Sequence, residues 1–249
     1  LEAELLGVEG AGAVLVVDED RSEFDADHGA DSVWCMGAFR QLIAAGLPPR
    51  MNLPDEFVLL FDWIEATGGV GKTVRGDSIG VVNSIELSRR GGSAAFFHKP
   101  FSDNHWTGCW DPQEMPRLST FMRTGFEGSS AAFWLDDAGN QKIVHLGSGS
   151  GSVMTGVWVQ TPLDLMRLIA IGYSDLCWPD DYDVTPIEAV DEPSRVIPPT
   201  EHQRWLSATF DVSIPTRANE IIGQMSRIGE PSKDPFCKWL ASLDEYGLT

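Results

Sequence analysis

The chain has 249 residues, enough for one large domain, or a domain with an extension, around a sizeable buried core. Its formal net charge is −19, which argues against nucleic acid and anionic membranes as partners, because both would repel it. A basic protein partner would be attracted. Acidity that only keeps the protein in solution is the alternative interpretation.

The negative charge is concentrated in two stretches. Residues 1–31 contain ten acidic residues and one basic residue, Arg21, whereas residues 175–192 contain seven acidic residues and no Lys or Arg. These stretches contribute −9 and −7, so −16 of the net −19 lies in a small part of the chain. A surface built from either stretch would attract a basic partner.

The cysteines give an expectation about the compartment. Cys35, Cys109, Cys177 and Cys237 are far apart and include no C-x-x-C pair. The sequence shows neither a charged-then-apolar leader nor an apolar run long enough to cross a bilayer. We therefore expect reduced thiols and a cytoplasmic location. A leader removed from the sequence stays open as the alternative.

The first third of the chain predicts one strand and two helices. Residues 13–17 are an apolar run typical of a strand, and residues 33–45 have the spacing of a helix. Pro54 lies near the start of the second helix, and the two acidic residues that follow suit the positive end of a helix dipole. The paired glycines at 68–69 end this helix.

The middle of the chain predicts an antiparallel sheet. A hairpin signal at residues 136–140 separates two of the strands, and the run Gly147–Ser152 predicts a second hairpin loop because strands lie on both sides of it. With helices at both ends of the sequence, this arrangement predicts an α+β fold with a mixed, largely antiparallel sheet flanked by helices. The predicted strands are 78–82, 94–98, 131–135 and 142–146.

Residues 157–176 are the best-specified stretch, a buried strand that runs straight into a short helix. Thr161 is a good N-cap, Pro162 suits the first helical position, and Asp164 completes a start that resembles a capping box. Gly172 ends the helix.

The tail of the chain predicts a helical extension. After an acidic, proline-containing connection, we predict three short helices: one that begins at a capping box of Thr200 and Gln203, one over residues 218–228, and one that begins at Asp234-Pro235. Their apolar faces predict that the tail packs on the main sheet or against a partner.

Residues Gly68–Thr73 (GGVGKT) resemble a phosphate loop, in which backbone amides and a lysine bind phosphates. Catalysis by a nucleotide hydrolase would then use Gly71, Lys72 and Thr73. The context favours a glycine-rich helix end instead, because a phosphate loop needs a strand before it and a helix after it. Here a helix-like segment precedes these residues, and Gly76 interrupts the segment that follows them.

Metal-ligand residue types also occur in three places, without a recognised spacing. A loop that is rich in aromatic residues, or solvated acids, is the favoured interpretation of each group. The groups are His98 with Asp103, His105 and Cys109; Asp25 with Asp27 and His28; and Asp180 with Asp181 and Asp183. We therefore predict no catalytic site, no metal and no cofactor.

The opening of the second predicted helix resembles a known family. Residues 53–57 (LPDEF), an apolar helix and then Gly68-Gly69 are similar to the L-P-x-x-aromatic and G-G opening of the SUKH superfamily. The strand-to-helix unit at residues 157–176 resembles the end of that family's domain. The similarity covers about residues 33–183, and Thr67 stands where the family usually has Asn.

The resemblance implies an α+β fold with a mixed sheet, and a role without catalysis. We predict a domain at residues 1–183, in which the core at about 33–183 is the part that resembles the family and follows an acidic strand and loop at 1–32, and a helical extension at 184–249 packed on the same domain. Most bacterial members of the family resemble immunity proteins, which bind a secreted toxin, often a nuclease, and block it by direct contact.

The partner that the resemblance implies is a basic protein toxin. A nuclease toxin that grips phosphates is basic, so an acidic inhibitor would compete for the same surface and associate quickly. Aromatic residues carry interface energy, so we expect the contact at Trp178 with Asp180, Asp181, Tyr182 and Asp183. An ordinary acidic loop is the alternative. An intracellular scaffold or regulator of the same fold is the second functional hypothesis, and an enzyme, either a phosphate-loop NTPase or a metal-dependent hydrolase, is the third.

Overall fold

The structure, a computed structural model, describes residues 37–85, 92–102 and 115–244. Within these residues the chain forms five α-helices and one sheet of eight strands. The predicted strand at 13–17 and the start of the predicted helix at 33–45 lie outside the described residues.

The predicted strands that lie in the described residues occur in the predicted order, but strands β1, β4 and β8 were not predicted. The helices are α1 (Ala38–Ala44), α2 (Asp55–Ala66), α3 (Pro162–Ile171), α4 (Thr200–Phe210) and α5 (Pro235–Asp244). The strands are β1 (Val70–Lys72), β2 (Ser78–Gly80), β3 (Phe96–Phe101), β4 (Leu118–Arg123), β5 (Ser130–Leu135), β6 (Gln141–Leu146), β7 (Met154–Val159) and β8 (Ser226–Arg227).

The sheet is a meander in which each strand pairs with the next along the chain. The order is β1 to β8, and all seven pairings are antiparallel. The predicted α+β fold with a largely antiparallel sheet is confirmed. The expected parallel component of a mixed sheet does not occur among the described strands, because no strand is reached by a crossover connection.

One face of the sheet packs against α1, α2 and α3, and a cluster of aromatic rings joins this face to α2. Phe121 of β4 and Phe133 of β5 stack with their ring centroids 4.1 Å apart, and Phe57 of α2 lies over both, at 5.8 and 6.0 Å. All three rings are at most 1% exposed. Each buried phenylalanine contributes about 1.5–3 kcal/mol to folding, so this cluster fixes the position of α2 on the sheet.

The opposite face of the sheet is covered by α5. Phe236 and Trp239 of this helix pack against Trp134 of β5, with ring centroids 5.4 and 5.8 Å away. Because both faces of the sheet are covered here, all six residues of β5 are buried, and the strand has no alternation of polar and apolar residues. The tail therefore packs on the sheet, as its apolar faces predicted.

Asp234 joins α5 to the sheet. One carboxylate oxygen accepts hydrogen bonds from the backbone N–H groups of Phe236 and Cys237, 2.9 and 3.1 Å away, and so caps the helix. The other oxygen accepts the N–H of Val157 in β7, at 3.0 Å. The predicted start of this helix at Asp234 is confirmed. The carboxylate lies close to Gly156, whose φ of 129° is a conformation that favours glycine.

We expect Asp234→Ala to lower the free energy of unfolding by about 2–3 kcal/mol, because it removes the helix cap and leaves the Val157 N–H unpaired. Urea denaturation measures the change. Asp234→Asn is the matched control: it can still cap the helix, so about half of the loss is expected. An alanine variant as stable as the unmodified protein would contradict this role.

The predicted helix at 218–228 is wrong. Only a three-residue 3-10 turn forms, Ala218–Glu220, and the chain then turns into β8. Glu220 accepts the N–H groups of Thr216 and Arg217, while Ala218 donates its N–H to the Tyr173 hydroxyl. These bonds fix a turn against the core, and the pairing of Ser226 with Thr155 then favours an extended chain.

The capping box predicted at Thr200 does not form. Pro199 occupies the N-cap position of α4 and makes no side-chain cap. Gln203 instead donates from Nε2 to the carbonyl oxygen of Ala170 at 2.7 Å, which ties α4 to the end of α3. The start and end of α3 are as predicted: Thr161 Oγ1 accepts the Asp164 N–H, and Gly172 ends the helix with φ 96°.

Candidate partner-binding surface

Four of the five predicted contact residues lie in a 3-10 helix, Pro179–Asp183, which follows α3. Trp178 immediately precedes it and is 37% exposed. Asp180 and Asp183 are exposed, and Asp181 is half-buried. Asp183 accepts a hydrogen bond from Asn219 Nδ2 at 2.6 Å, so its carboxylate is already engaged by the turn in the tail.

Tyr182 is a core residue, which corrects its assignment as a partner contact. It is 5% exposed, donates its hydroxyl proton to the Leu176 carbonyl at 2.6 Å and accepts from Trp158 Nε1 at 3.1 Å. Burial raises the pKa of its hydroxyl, so the group stays neutral. The side chain anchors the 3-10 helix to β7 and positions Trp178 beside it, and its own ring does not reach the surface.

The anchoring role of Tyr182 gives a prediction about stability. Tyr182→Phe should lower the free energy of unfolding by about 1–3 kcal/mol, because the indole N–H of Trp158 and the Leu176 carbonyl each lose a buried partner. Chemical denaturation measures the loss. The folded variant should bind a partner as well as the unmodified protein does; weaker binding at unchanged stability would mean that the hydroxyl contacts the partner directly.

The loop between β4 and β5 adds an exposed aromatic residue that the sequence analysis missed. Phe126 is 68% exposed. Its N–H donates to Asp175 Oδ1 at 2.9 Å, and the Leu176 N–H donates to the Thr124 carbonyl at 2.7 Å. These two bonds hold the loop beside the segment that leads to Trp178. The sequence analysis predicted no strand at residues 118–123, so it gave no indication that Phe126 lies in a loop between two strands.

The loop and the segment after α3 together form what we call the acidic–aromatic surface. This surface consists of two aromatic residues, Phe126 and Trp178, and four carboxylates, those of Glu127, Asp175, Asp180 and Asp181. None of the four carboxylates forms an ion pair with any described residue.

The carboxylates of this surface perturb one another. Burial raises the pKa of Asp181, and the charges of Asp180 and Asp175 raise it further. Burial also raises the pKa of Asp175, with a further contribution from Glu127. Such shifts mean that negative charges are held close together and partly out of water, so a cation placed between them would be stabilised.

Glu127 differs from its neighbours because it is held by Ser129. Burial alone would raise the pKa of Glu127, but hydrogen bonds from the Ser129 hydroxyl, the Cys177 thiol and the Ser129 N–H, together with His145, outweigh that effect and lower it. Glu127 therefore stays charged. The Ser129 hydroxyl in turn accepts the Ser148 N–H at 3.0 Å, which links this loop to the one between β6 and β7.

The buried residues beneath the acidic–aromatic surface include His145, whose hydrogen bonds hold the start of the β4–β5 loop in place. His145 has Nδ1 3.0 Å from the Met154 carbonyl, so Nδ1 carries the proton and Nε2 accepts from Thr124 Oγ1 at 2.9 Å. Burial lowers the pKa of His145 to about 4. Burial, together with Glu127, raises the pKa of the Cys177 thiol, which is therefore not poised as a nucleophile.

The segment that resembles a phosphate loop adopts a different geometry. Helix α2 ends before Gly68, which has φ 73°, and residues 70–72 form the edge strand β1. Lys72 donates from Nζ to Ser78 Oγ on β2 at 2.8 Å. The interpretation as a glycine-rich helix end is confirmed. The loop that should lead into a helix is replaced by a strand paired with β2.

Of the three groups with metal-ligand residue types, only Asp180, Asp181 and Asp183 lie wholly in the described part of the chain. Residues 37–85, 92–102 and 115–244 contain no group of three His, Cys, Asp or Glu side chains that could hold a metal ion. The groups at 25–28 and 103–109 lie outside the described residues. His98, on β3, has its pKa lowered to about 4, chiefly by burial, and its Nδ1 lies 3.0 Å from the Lys99 carbonyl.

Comparisons with protein-family models, with curated proteins and with solved structures found no match to this chain. Among the helices of the described residues, none has the length and apolar character needed to cross a bilayer.

Proposed function

We propose that this chain is an immunity-type protein that works in the cytoplasm without catalysis, and that it binds and neutralises a basic toxin, of the nuclease type, by direct contact. The single observation that carries the proposal is the acidic–aromatic surface, where Phe126 and Trp178 are exposed beside carboxylates that have no cationic partner among the described residues. The resemblance to the SUKH superfamily, with its loose opening motif at residues 53–69, is the second support.

The two kinds of residue on this surface have different roles in the proposal. Phe126 and Trp178 provide area that is removed from water on binding, and aromatic anchors of this kind dominate the energy of most interfaces. The carboxylates select a basic partner and speed its approach through long-range attraction. Asp175 and Asp181 gain most from a partner's cation, because each is partly buried beside another negative charge.

The experiment that tests the proposal is capture of partners by the purified full chain, at low salt, from lysates of its own source and of close competitors. A single basic, toxin-like protein that moderate salt elutes supports the proposal, because exposed charges are screened within about 10 Å at 0.1 M salt. Capture of several housekeeping proteins would favour the scaffold instead. Retention that is insensitive to salt would contradict the electrostatic part of the proposal.

A further inference from the structure

Helix α4 is joined to the rest of the fold mainly by side-chain contacts. Gln203 donates from Nε2 to the Ala170 carbonyl oxygen at 2.7 Å, and Leu206 is buried in the core. The Trp205 ring stacks on the Trp63 ring of α2, with the ring centroids 5.1 Å apart. Among the described residues, no ion pair and no backbone hydrogen bond ties α4 to the sheet. A helix attached in this way can open while the sheet stays folded.

His202 lies inside the contact between α4 and α2. Its side chain is 0% exposed, and its ring centroid lies 5.4 Å from that of Trp63 and 5.9 Å from that of Trp205. Neither ring nitrogen has a hydrogen-bond partner in the described part of the chain. A protonated ring here would be a buried charge with neither a counter-ion nor a hydrogen-bond acceptor, which strongly destabilises a protein interior. The closed position of α4 therefore requires a neutral His202.

No charged side chain offsets the cost of a proton on this ring. The titratable residues on the neighbouring turns of the three helices are Asp62 and Glu65 on α2, Asp164 and Arg167 on α3, and Glu201 and Arg204 on α4. Two of these carboxylates already form ion pairs, Asp62 with Arg40 and Asp164 with Arg167. Burial alone lowers the pKa of His202, to about 3, with no contribution from any of these groups.

We propose that His202 makes the attachment of α4 acid-sensitive: when the imidazole takes up a proton from solvent, α4 separates from α2 while the sheet stays folded. The protonated ring then reaches water, and the Trp63 ring that it contacted becomes accessible. The change reverses when the pH rises and the proton is released. None of these residues belongs to the acidic–aromatic surface, so the proposal is independent of the proposed function.

The size of the effect follows from the protonation of the open and closed states. An imidazole in water titrates near 6.5, whereas the buried ring stays neutral at pH 5. Between pH 7 and pH 5, proton uptake by the open state should therefore raise the population with α4 open about 25-fold. Global unfolding also exposes His145, so it should respond more steeply, by roughly 25-fold for each of the two histidines.

Amide hydrogen exchange of the full chain at pH 7 and pH 5, corrected for the intrinsic exchange rates, tests the proposal. Protection of the α4 amides should fall about 25-fold, and these amides should be less protected than those of β5 at both pH values. Equal protection of α4 and β5 would show that α4 opens only with the whole fold, and would overturn the proposal. Unchanged protection of α4 would show that the ring is protonated in place, which would also overturn it.

Two variants assign the response to one residue. His202→Phe keeps the ring contacts and cannot titrate, so its α4 amides should have the same protection at both pH values. Gln203→Ala removes the bond to Ala170 and no titratable group, so it should lower protection about fivefold at both pH values and keep the 25-fold ratio. A 25-fold ratio that persists in His202→Phe, or that disappears in Gln203→Ala, would contradict the role of His202.

Discussion

Lowering the pH from 7 to 5 should destabilise the fold by about 4 kcal/mol from two fully buried histidines, with a smaller further loss from His98, which is half-buried and whose pKa is also lowered. Burial lowers the pKa of His145 to about 4 and that of His202 to about 3, whereas both titrate near 6.5 in the unfolded chain. At pH 5 each unfolded histidine has taken up a proton that the folded protein excludes, which costs about 2 kcal/mol per residue. This is a large fraction of the roughly 5–15 kcal/mol that stabilises a typical domain.

The sign of this effect follows from where the protons bind. Both histidines contribute full stability above pH 6.5, and the contribution is lost as the pH falls towards the folded-state pKa values. Asp175 and Asp181, whose pKa values are raised by burial and by neighbouring carboxylates, act in the opposite direction and offset part of this loss. A variant that lacks one histidine and keeps both carboxylates separates the two effects.

His202→Phe is the matched variant for this measurement. The imidazole lies between α2 and α4, 5.4 Å from the Trp63 ring and 5.9 Å from the Trp205 ring, and neither ring nitrogen has a hydrogen-bond partner among the described residues. A phenylalanine keeps the ring contacts and cannot titrate. Urea denaturation at pH 7 and pH 5 should show about half of the pH-dependent loss in this variant; the same loss as in the unmodified protein would mean that His202 is protonated in the folded state.

Combined replacement of Phe126 and Trp178 by alanine should weaken binding of the basic partner by at least about 100-fold. Truncation of an interface hot spot costs about 2 kcal/mol or more, and the two residues lie on neighbouring segments joined through Asp175. Phe126 is 68% exposed and its loss should change the free energy of unfolding little, whereas Trp178 is only 37% exposed and its truncation should lower that free energy by about 1–2 kcal/mol, which leaves the variant folded. Calorimetry with the captured partner measures the affinity, and chemical denaturation measures the stability.

Exposed apolar residues elsewhere provide the control for this pair. Val74, in the turn after β1, is 79% exposed, and Ile187 is 58% exposed, and neither belongs to the acidic–aromatic surface. Alanine at both positions removes a comparable kind of side chain and should leave affinity within about threefold. Equal loss of affinity in the control would show that the partner binds another surface.

Local signals made part of the fold predictable from the sequence. Helix α3 begins at Thr161 and Pro162 and ends at Gly172, and each signal lies at the helix end that it determines. The β5–β6 turn is formed by Asp136, which accepts the N–H groups of Ala138 and Asn140. In such elements the side chain that determines the structure is close in sequence to the backbone groups with which it forms hydrogen bonds.

The wrong predictions concern segments whose structure depends on contacts with residues that are distant in the sequence. Residues 218–228 have helical spacing, yet Tyr173 and Thr155, remote in sequence, bind the chain as a turn and a strand. Tyr182 was expected on the surface with its acidic neighbours, but Trp158 and Leu176 hold it in the core. Burial of one residue among charged neighbours depends on tertiary packing, which the local pattern does not contain.

The candidate surface was predictable only in part for the same reason. Trp178 and its acidic neighbours are contiguous, so their combination was visible in the sequence. Phe126 lies about fifty residues earlier and joins them only because the β4–β5 loop bonds to Asp175. A surface assembled from two separate segments is defined by the sheet that brings them together.

The most direct test of the account is an inhibition assay with the captured basic partner. Its toxic activity, for example nuclease activity on labelled nucleic acid, is measured against increasing amounts of the full chain and of the Phe126→Ala/Trp178→Ala variant. Complete inhibition near one equivalent of the full chain, and little by the variant, is the predicted result. A partner that stays active when saturated, or that the variant inhibits equally well, would contradict neutralisation through the acidic–aromatic surface.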